Sequence, residues 1–241
     1  MSLPFFYSTS ITAGSKQLVL NEDTSRHVVQ VLRMQNEEQL QLTDGLGNLF
    51  TAEITDNNKK ACAVTVLTVK QLPMLQQRVT IAISLVKNNS RLEWFLEKAT
   101  EIGVSEIVPL LCARTEKQHF KFERMNNILI SAMLQSQQAW LPVLHEPVKF
   151  TDYLIRSSGV QAQNKFIAHC EEESNKVSIP DNRTYPVSAI LIGPEGDFTK
   201  DEIALALKQN YIPVSLGVTR LRTETAGIVS AVLLVSGKST N

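Results

Sequence analysis

The residues best suited to chemistry gather near the carboxy terminus. Arg220, Arg222, Thr223, Glu224 and Thr225 place cations, a carboxylate and hydroxyls directly ahead of a largely apolar run that ends at Val235. Such groups can bind a polar ligand, accept a proton and neutralise developing charge. Arg222 and Glu224 beside an apolar run are costly to desolvate unless they are paired or used. A second cluster lies upstream, where Gly193-Pro194-Glu195-Gly196 breaks the apolar stretch Ala189 to Ile192. Glycines at 193, 196 and 217 let backbone approach a ligand closely, because no Cβ intrudes. On spacing alone, a Gly-Pro after a strand is more often a plain turn, and threonines at 223 and 225 can simply cap a helix.

Both clusters read as loops of strand–loop–helix units. Thr199 with Glu202 three residues on is a capping-box signature that opens a helix after the first loop. In the second unit, Val214 to Leu216 is a short strand, and Glu224 to Val235 is a helix apolar on nearly every side, which predicts that it is buried. Two loops leaving the carboxyl ends of neighbouring strands are where open α/β sheets place ligands. Further upstream, Val79 to Val86 is a continuous apolar strand of the kind buried in parallel sheets. After Lys87-Asn88-Asn89, Ser90 and Glu93 suggest a second capping box. The helix that follows turns Leu92, Phe95, Leu96, Ala99 and Ile102 inward, shows Arg91, Glu97, Lys98 and Glu101 outward, and stops at Gly103. Ile107 to Leu111 is a strand, Phe122 to Gln138 a helix and Phe166 to His169 a strand. The polar QSQQAW end of the second helix reads as an exposed loop or a partner surface. Residues 171–186, acidic and bearing Pro and Ser, read as a mobile surface excursion. This alternation from residue 79 predicts an α/β domain with a mostly parallel sheet and helices on both faces.

Residues 1–72 are β-rich in pattern. Leu40 to Leu42 and Leu49 to Ile54 alternate about Asp44-Gly45, which is a hairpin signal, and Ala61 to Val69 supplies another strand. DTSRHVVQVLRM has helical spacing, with Val28, Val29 and Leu32 inward and Arg26, His27 and Arg33 on a solvated face. Gln71 to Met74, with Pro73, is the best linker, giving domains 1–72 and 73–241.

With 241 residues and 43% apolar content, the chain can bury a full core. No run approaches the roughly 20 apolar residues needed to cross a bilayer, and MSLPFFYSTS lacks the pattern of a signal peptide. The expectation is a cytoplasmic protein without a membrane partner. Cys62, Cys112 and Cys170 form no CxxC pair and read as inert, reduced packing residues; with four scattered histidines, they give no metal site. With 24 basic and 24 acidic residues, bulk charge does not advertise a nucleic-acid partner, so RNA binding would need a local patch.

Four stretches together, LVKNNSRLEWFLEKATEIGV, SAMLQSQQAW, LIGPEGDFTKDE and LGVTRLRTETAG, resemble the RsmE family of ribosomal RNA small-subunit methyltransferases, in the SPOUT superfamily. HVVQVLRM and LTDGLGNLFTAEI are similar to that family's PUA-like first domain, so the resemblance spans nearly the whole chain. It departs in four places. Asp197 stands where a second glycine is common, and Thr219-Arg220-Leu221-Arg222 replaces Arg-Ile-Leu-Arg. QSQQAW lacks the Glu-Gln-Ser-x-Arg form, and no arginine precedes Phe5-Phe6.

The resemblance implies a small PUA-like β-barrel domain that binds RNA, followed by a SPOUT-type trefoil-knotted α/β domain that binds S-adenosylmethionine, usually as a homodimer. The implied reaction is methylation at N3 of a uridine in the decoding region of 16S ribosomal RNA, free or in the small subunit. The cofactor would lie against His169, Ile192, Gly193, Pro194, Glu195, Gly196, Leu216, Gly217, Leu221, Arg222, Thr223 and Thr225. Glu224 is the first candidate to take or position the N3 proton, Glu195 the second, and Arg222 would stabilise charge on the uracil oxygens; equally, Glu224 could only hold Arg222 in place. Arg26, Arg33, Lys59, Lys60, Lys87 and Arg91 are candidate RNA contacts. The alternative is a non-catalytic RNA-binding ribosome assembly factor of the same fold. A nucleotide-phosphate enzyme is disfavoured, since neither GxGxxG nor GxxxxGK[ST] occurs at a strand end.

Overall fold

In the computed structural model of the chain, the described residues are 3–116, 119–157, 164–171, 176–179 and 187–236. They divide into two units, one taking residues 1–74 with 133–141 and the other 75–132 with 142–241.

In the first unit, β1 (Phe5–Tyr7), β2 (Gln17–Val19), β3 (Gln39–Thr43), β4 (Asn48–Asp56) and β5 (Ala63–Gln71) form a sheet in the order β1-β3-β4-β5-β2. Alternation does what the pattern predicted: Leu40 and Leu42 on β3 face the same core as Phe50, Ala52 and Ile54 on β4. α1 (Glu22–Arg26) is capped by the Asn21 side chain, which accepts from the Thr24 amide, and continues into a π-helical turn over His27–Val31. A π turn carries more residues than an α turn, so it rotates the following positions around the axis. Ser25, Val28 and Met34 therefore reach the core, whereas Leu32, expected to face inward, is 42% exposed.

Trp140 closes this unit. It bridges Leu46, its indole N–H donates to the Leu72 carbonyl at 3.2 Å, and the Ala139 carbonyl accepts from both Gly47 N and Thr43 Oγ1. The Ala139-Trp140 end of QSQQAW is thus bonded to the β3–β4 hairpin, while Gln135 and Gln137 are exposed.

The second unit contains β6 (Arg78–Ser84), α2 (Asn89–Ile102), β7 (Glu106–Leu111), β8 (Val143–Leu144), β9 (Val148–Lys149), α4 (Phe150–Ser157), β10 (Asn164–Ala168), β11 (Val177–Ser178), β12 (Val187–Ile192), α5 (Lys200–Lys208), β13 (Ile212–Ser215) and α6 (Thr223–Val235). The helix between β7 and β8 is α3 (Phe122–Gln135); it stops short of Gln138, with Gln137 at φ 56°. The strands pair in parallel in the order β11-β13-β10-β12-β6-β7-β8, with β9 also on β7. Of the expected surface excursion at 171–186, Val177–Ser178 is the edge strand β11, and residues 172–175 and 180–186 lie outside the described set.

Each inner strand is apolar on both faces, because helices cover both. Ala82, Val108, Leu110, Ile167 and Leu191 pack on one side with Phe150 and Leu154 of α4 and Ile203 and Ala206 of α5. On the other side lie α2 and α6, which contact each other while α6 rests on β6 and β12. From β13, two strands outward, the chain therefore returns to the middle of the sheet.

Two details differ from expectation. The N-cap of α2 is Asn88, whose side chain accepts from Ser90 N; Ser90 and Glu93 form no capping box, and Glu93 instead takes both Nε and Nη2 of Arg124. An Asn two residues ahead of Ser90, just outside the first helical residue, offers the better-placed acceptor. The helix α6 is buried on one stripe only, Gly227, Ser230, Ala231 and Leu234, while Val232 is 43% exposed.

Gly227 sets how near α6 comes to its neighbours. A Cβ there would sit 2.6 Å from Phe95 Cε2 and 3.0 Å from Ile83 Cδ1. Gly227→Ala should destabilise the fold through overpacking by about 1–3 kcal/mol. Thermal unfolding would read this as a drop of about 2–4 °C per kcal/mol; an unchanged midpoint would mean the helices separate without cost.

Candidate functional site

The carboxyl ends of β6, β7, β10 and β12 carry four loops that are bonded to one another. Glu195 Oε1 accepts from the amide of Lys87, beyond β6, at 3.0 Å. Arg114, beyond β7, donates Nη1 to the Gly196 carbonyl at 2.7 Å, and neighbouring Ala113 N donates to Glu202 Oε1 at 2.8 Å. Glu202 also completes the expected capping box with Thr199. From beyond β10, Cys170 N donates to Asp197 Oδ2 at 2.7 Å. Asp197 is itself at φ 64°, in the left-handed region, and its other oxygen accepts from Phe198 N at 2.8 Å. Asp is among the residues that tolerate this conformation, since a short side chain can bond locally.

The loop from β13 to α6 closes over this platform. Gly217 has φ 139°, a conformation few side chains permit, and the Thr223 hydroxyl donates to the Gly193 carbonyl at 3.0 Å. Between the loops lies a pocket of about 620 Å³. His169, Ile192, Gly193, Pro194, Glu195, Leu216, Gly217, Leu221, Arg222 and Thr223 all line it. Gly196 does not, being turned against Arg114, and Thr225 lines a neighbouring recess instead. Arg220, singled out in the sequence for its charge, also lines it, and so do residues outside the expected cofactor contacts, among them Ala168, Cys170, Lys176, Asp197, Val214 and Ala226. Cys170, read as a packing thiol, is exposed, whereas Cys62 and Cys112 are buried. Lys176 donates Nζ to the His169 carbonyl at 2.7 Å, which holds β11 to the end of β10.

The pocket mixes apolar walls from Ile192, Val214, Leu216 and Leu221 with carboxylates and open backbone at Gly193 and Gly217. That suits a ligand with an aromatic or aliphatic body and polar, partly cationic ends, and the volume lies in the range of about 300–1,000 Å³ usual for small-molecule sites.

The second recess adjoins the first through a shared wall, Arg220, Leu221 and Arg222, and is otherwise lined by Ser90, Arg91, Trp94, Glu224 and Thr225. Glu224 is 6% exposed, in the first turn of α6, where the helix dipole favours negative charge. Its Oε1 lies 3.6 Å from Arg91 Nε, and its Oε2 has no hydrogen-bond partner among the described residues. The partner of Glu224 is therefore Arg91 of α2, not Arg222, which is exposed. Lys87 forms a salt bridge to Glu116 at 2.9 Å. Arg26 (paired to Glu22), Arg33, Lys59 and Lys60 are exposed in the first unit. Among the described residues, no group of three or more His, Cys, Asp or Glu side chains could hold a metal ion, and no helix is long and apolar enough to cross a membrane.

Comparison with known proteins agrees with this geometry. A family model described as an RNA methyltransferase domain matches residues 73–235, and one described as an RNA methyltransferase PUA domain matches 20–67. A ribosomal RNA small subunit methyltransferase E of Synechocystis is 31% identical over 210 residues, covering 85% of this chain and 68% of the relative. A probable rRNA methyltransferase from Porphyromonas gingivalis superposes with a TM-score of 0.87 at 39% identity, covering 95% of each chain. The Neisseria gonorrhoeae ribosomal RNA small subunit methyltransferase E, solved bound to S-adenosyl methionine, superposes with a TM-score of 0.82 at 26% identity and 95% coverage of each.

Asp197 offers a direct test of how the platform is held. Asp197→Ala keeps a Cβ at positive φ and loses both amide bonds, whereas Asp197→Gly loses the bonds but relieves the strain. In chemical denaturation the alanine variant should be less stable than the parent by about 1–3 kcal/mol, and the glycine variant should fall between the two. Equal midpoints for the two variants would show that the positive φ carries no strain.

Proposed function

Because the chain belongs to the ribosomal RNA small subunit methyltransferase E family, we propose that it transfers a methyl group from S-adenosylmethionine to N3 of a uridine in the decoding region of 16S ribosomal RNA. The observation that carries the proposal is a buried carboxylate, Glu224, with one oxygen unsatisfied, beside a pocket built from strand-end loops. S-adenosylmethionine, when bound, supplies an electrophilic methyl group on its sulfonium. The loop 193–196 and the segment Leu216 to Thr223 orient it, with His169, Cys170 and Lys176 along the remaining side.

Most of the rate enhancement then comes from alignment, since an in-line displacement needs the acceptor nitrogen fixed opposite the methyl carbon. A uracil N3 carries a proton and is hidden in a base pair, so the target base is unpaired or extruded. Glu224 takes that proton, and Arg222, exposed on the wall common to both recesses, neutralises charge developing on a ring oxygen. Glu195 is the weaker candidate base, because its Oε1 already accepts the Lys87 amide. Arg26, Arg33, Lys59 and Lys60 of the first domain hold the RNA by its phosphates, contacts that position without reading sequence. The exposed apolar side of α6, with Val232, supports a homodimer in which a second copy covers that stripe.

Two measurements test this reading. In single turnover, Glu224→Gln should methylate at least 100-fold more slowly, the lower end of general-base effects of about 10²–10⁴, while S-adenosylmethionine affinity is retained. Full activity would remove the carboxylate from the chemistry. Mapping of modified uridines in 16S RNA from cells with and without the protein identifies the product.

The pocket assignment has a readout independent of activity. Cys170 is exposed on the pocket wall, while burial pushes the Cys112 thiol up to about 12, so Cys112 stays protonated at the pH of labelling. Iodoacetamide should therefore modify Cys170, more slowly when S-adenosylmethionine is present, and leave Cys62 and Cys112 intact. Equal rates with and without the cofactor would place it elsewhere.

A further inference from the structure

The recess next to the cofactor pocket has a composition that the proposed cofactor chemistry leaves unexplained. Its floor is Glu224, more than nine-tenths buried yet with an oxygen lacking any hydrogen-bond partner. A buried carboxylate oxygen left unpaired costs free energy that a donor from a ligand would recover. Its side is Trp94, a large aromatic 44% exposed on α2, whose ring offers apolar area for a base to cover. Its rim is basic, with Arg91, Arg220 and Arg222.

We propose that this recess is the acceptor-base pocket, taking a single extruded pyrimidine that presents an imide N–H, with the Trp94 ring as stacking face and Glu224 as the group that selects the N–H. The proposal rests on the uridine-N3 reading and adds where the base sits and what rejects its competitor. Uracil offers N3–H flanked by two carbonyl oxygens, a donor for the carboxylate and acceptors for the arginines. Cytosine presents a lone pair at N3, which a buried carboxylate repels, so the same group that prepares the nitrogen also discriminates between the pyrimidines. Rotation of the terminal carboxylate bond, a soft torsion, turns either oxygen toward the recess. Arg91, 3.6 Å from Oε1, is a positioning residue that holds the carboxylate in the recess. Arg220, Leu221 and Arg222 line both recesses, so a base held in one lies next to a donor held in the other and can meet it at their common edge.

The test has a kinetic and a binding arm. On small ribosomal subunits lacking the modification, Trp94→Ala should lower kcat/KM about tenfold or more, the effect of one lost base–aromatic stack. S-adenosylmethionine Kd should stay within twofold, and Trp94→Phe should restore most of the activity. A Trp94→Ala enzyme within twofold of the parent, or one whose cofactor affinity falls in step with its activity, overturns the proposal. In the binding arm, a single-stranded RNA carrying one 4-thiouridine is irradiated on the unmodified protein. Cross-links should map to the peptide holding Ser90, Arg91 and Trp94 and be competed by a uridine oligonucleotide at least tenfold better than by its cytidine counterpart. Glu224→Gln should erase that preference, since an amide can donate to the cytosine nitrogen. Cross-links elsewhere, or an undiminished preference in Glu224→Gln, refute the pocket. A parent that cross-links as expected yet methylates no uridine supports the pocket and refutes the reaction, so the two readings fail separately.

Discussion

One buried hydrogen bond, from the Thr223 hydroxyl to the carbonyl of Gly193, joins the two loops that form the pocket. It can form only if α6 begins directly above the end of β12, and that position is set by packing far from any ligand. Gly227 lets α6 settle against Phe95 and Ile83, so the helix axis is fixed by the sheet and by α2. The first turn of α6 then carries Thr223 onto one loop and Glu224 into the adjoining recess. A shift of α6 by the width of one methyl group would move both residues together, because they are neighbours on one rigid turn.

Electrostatics depends on the same placement. A carboxylate as buried as that of Glu224 is tolerated when something offsets its desolvation. Two things do so here: the amino end of α6, whose dipole favours negative charge, and Arg91 at 3.6 Å from the neighbouring helix. Neither saturates the carboxylate, since Oε2 keeps an open valence. The group is therefore offset enough to persist in the fold and still has an acceptor site open to a donor.

Much of this was legible in the sequence, for identifiable reasons. The inner parallel strands read as unbroken apolar runs because both of their faces are covered, and the Thr199–Glu202 box is local enough to be recognised by spacing. What escaped depends on partners distant along the chain or on local competition. The Arg91–Glu224 pair joins two helices far apart in sequence, so the nearer Arg222 looked like the natural partner. Asn88 outcompeted Ser90 as a cap, and the π turn at His27–Val31 moved Leu32 out of the core, neither of which hydrophobic periodicity can register. α6 looked buried because its sequence is apolar throughout, but only one stripe meets the protein. Cys170 and Lys176 entered the pocket wall through the pairing of β10 and β11 with β13, a tertiary fact without a sequence signature.

Asp197 shows how a departure from the family pattern can preserve the geometry it seems to break. At φ 64° a glycine would be free of strain, and an ordinary side chain would not. Asp meets the same backbone demand by turning its carboxylate onto two amides, its own successor at Phe198 and Cys170 beyond β10. A glycine holds such a turn by permitting it; here the turn is held by tying it to a neighbour. The loop 193–198 is then tethered from three sides, by Lys87, by Arg114 and by Cys170, each beyond the end of a different strand. Rigidity that depends on backbone freedom at one position is local, whereas rigidity built from cross-links is shared by the whole sheet end. Through Asp197, Cys170 beyond β10 and the loop that ends β12 are joined directly, so the two adjoining walls of the pocket share one hydrogen-bonded support.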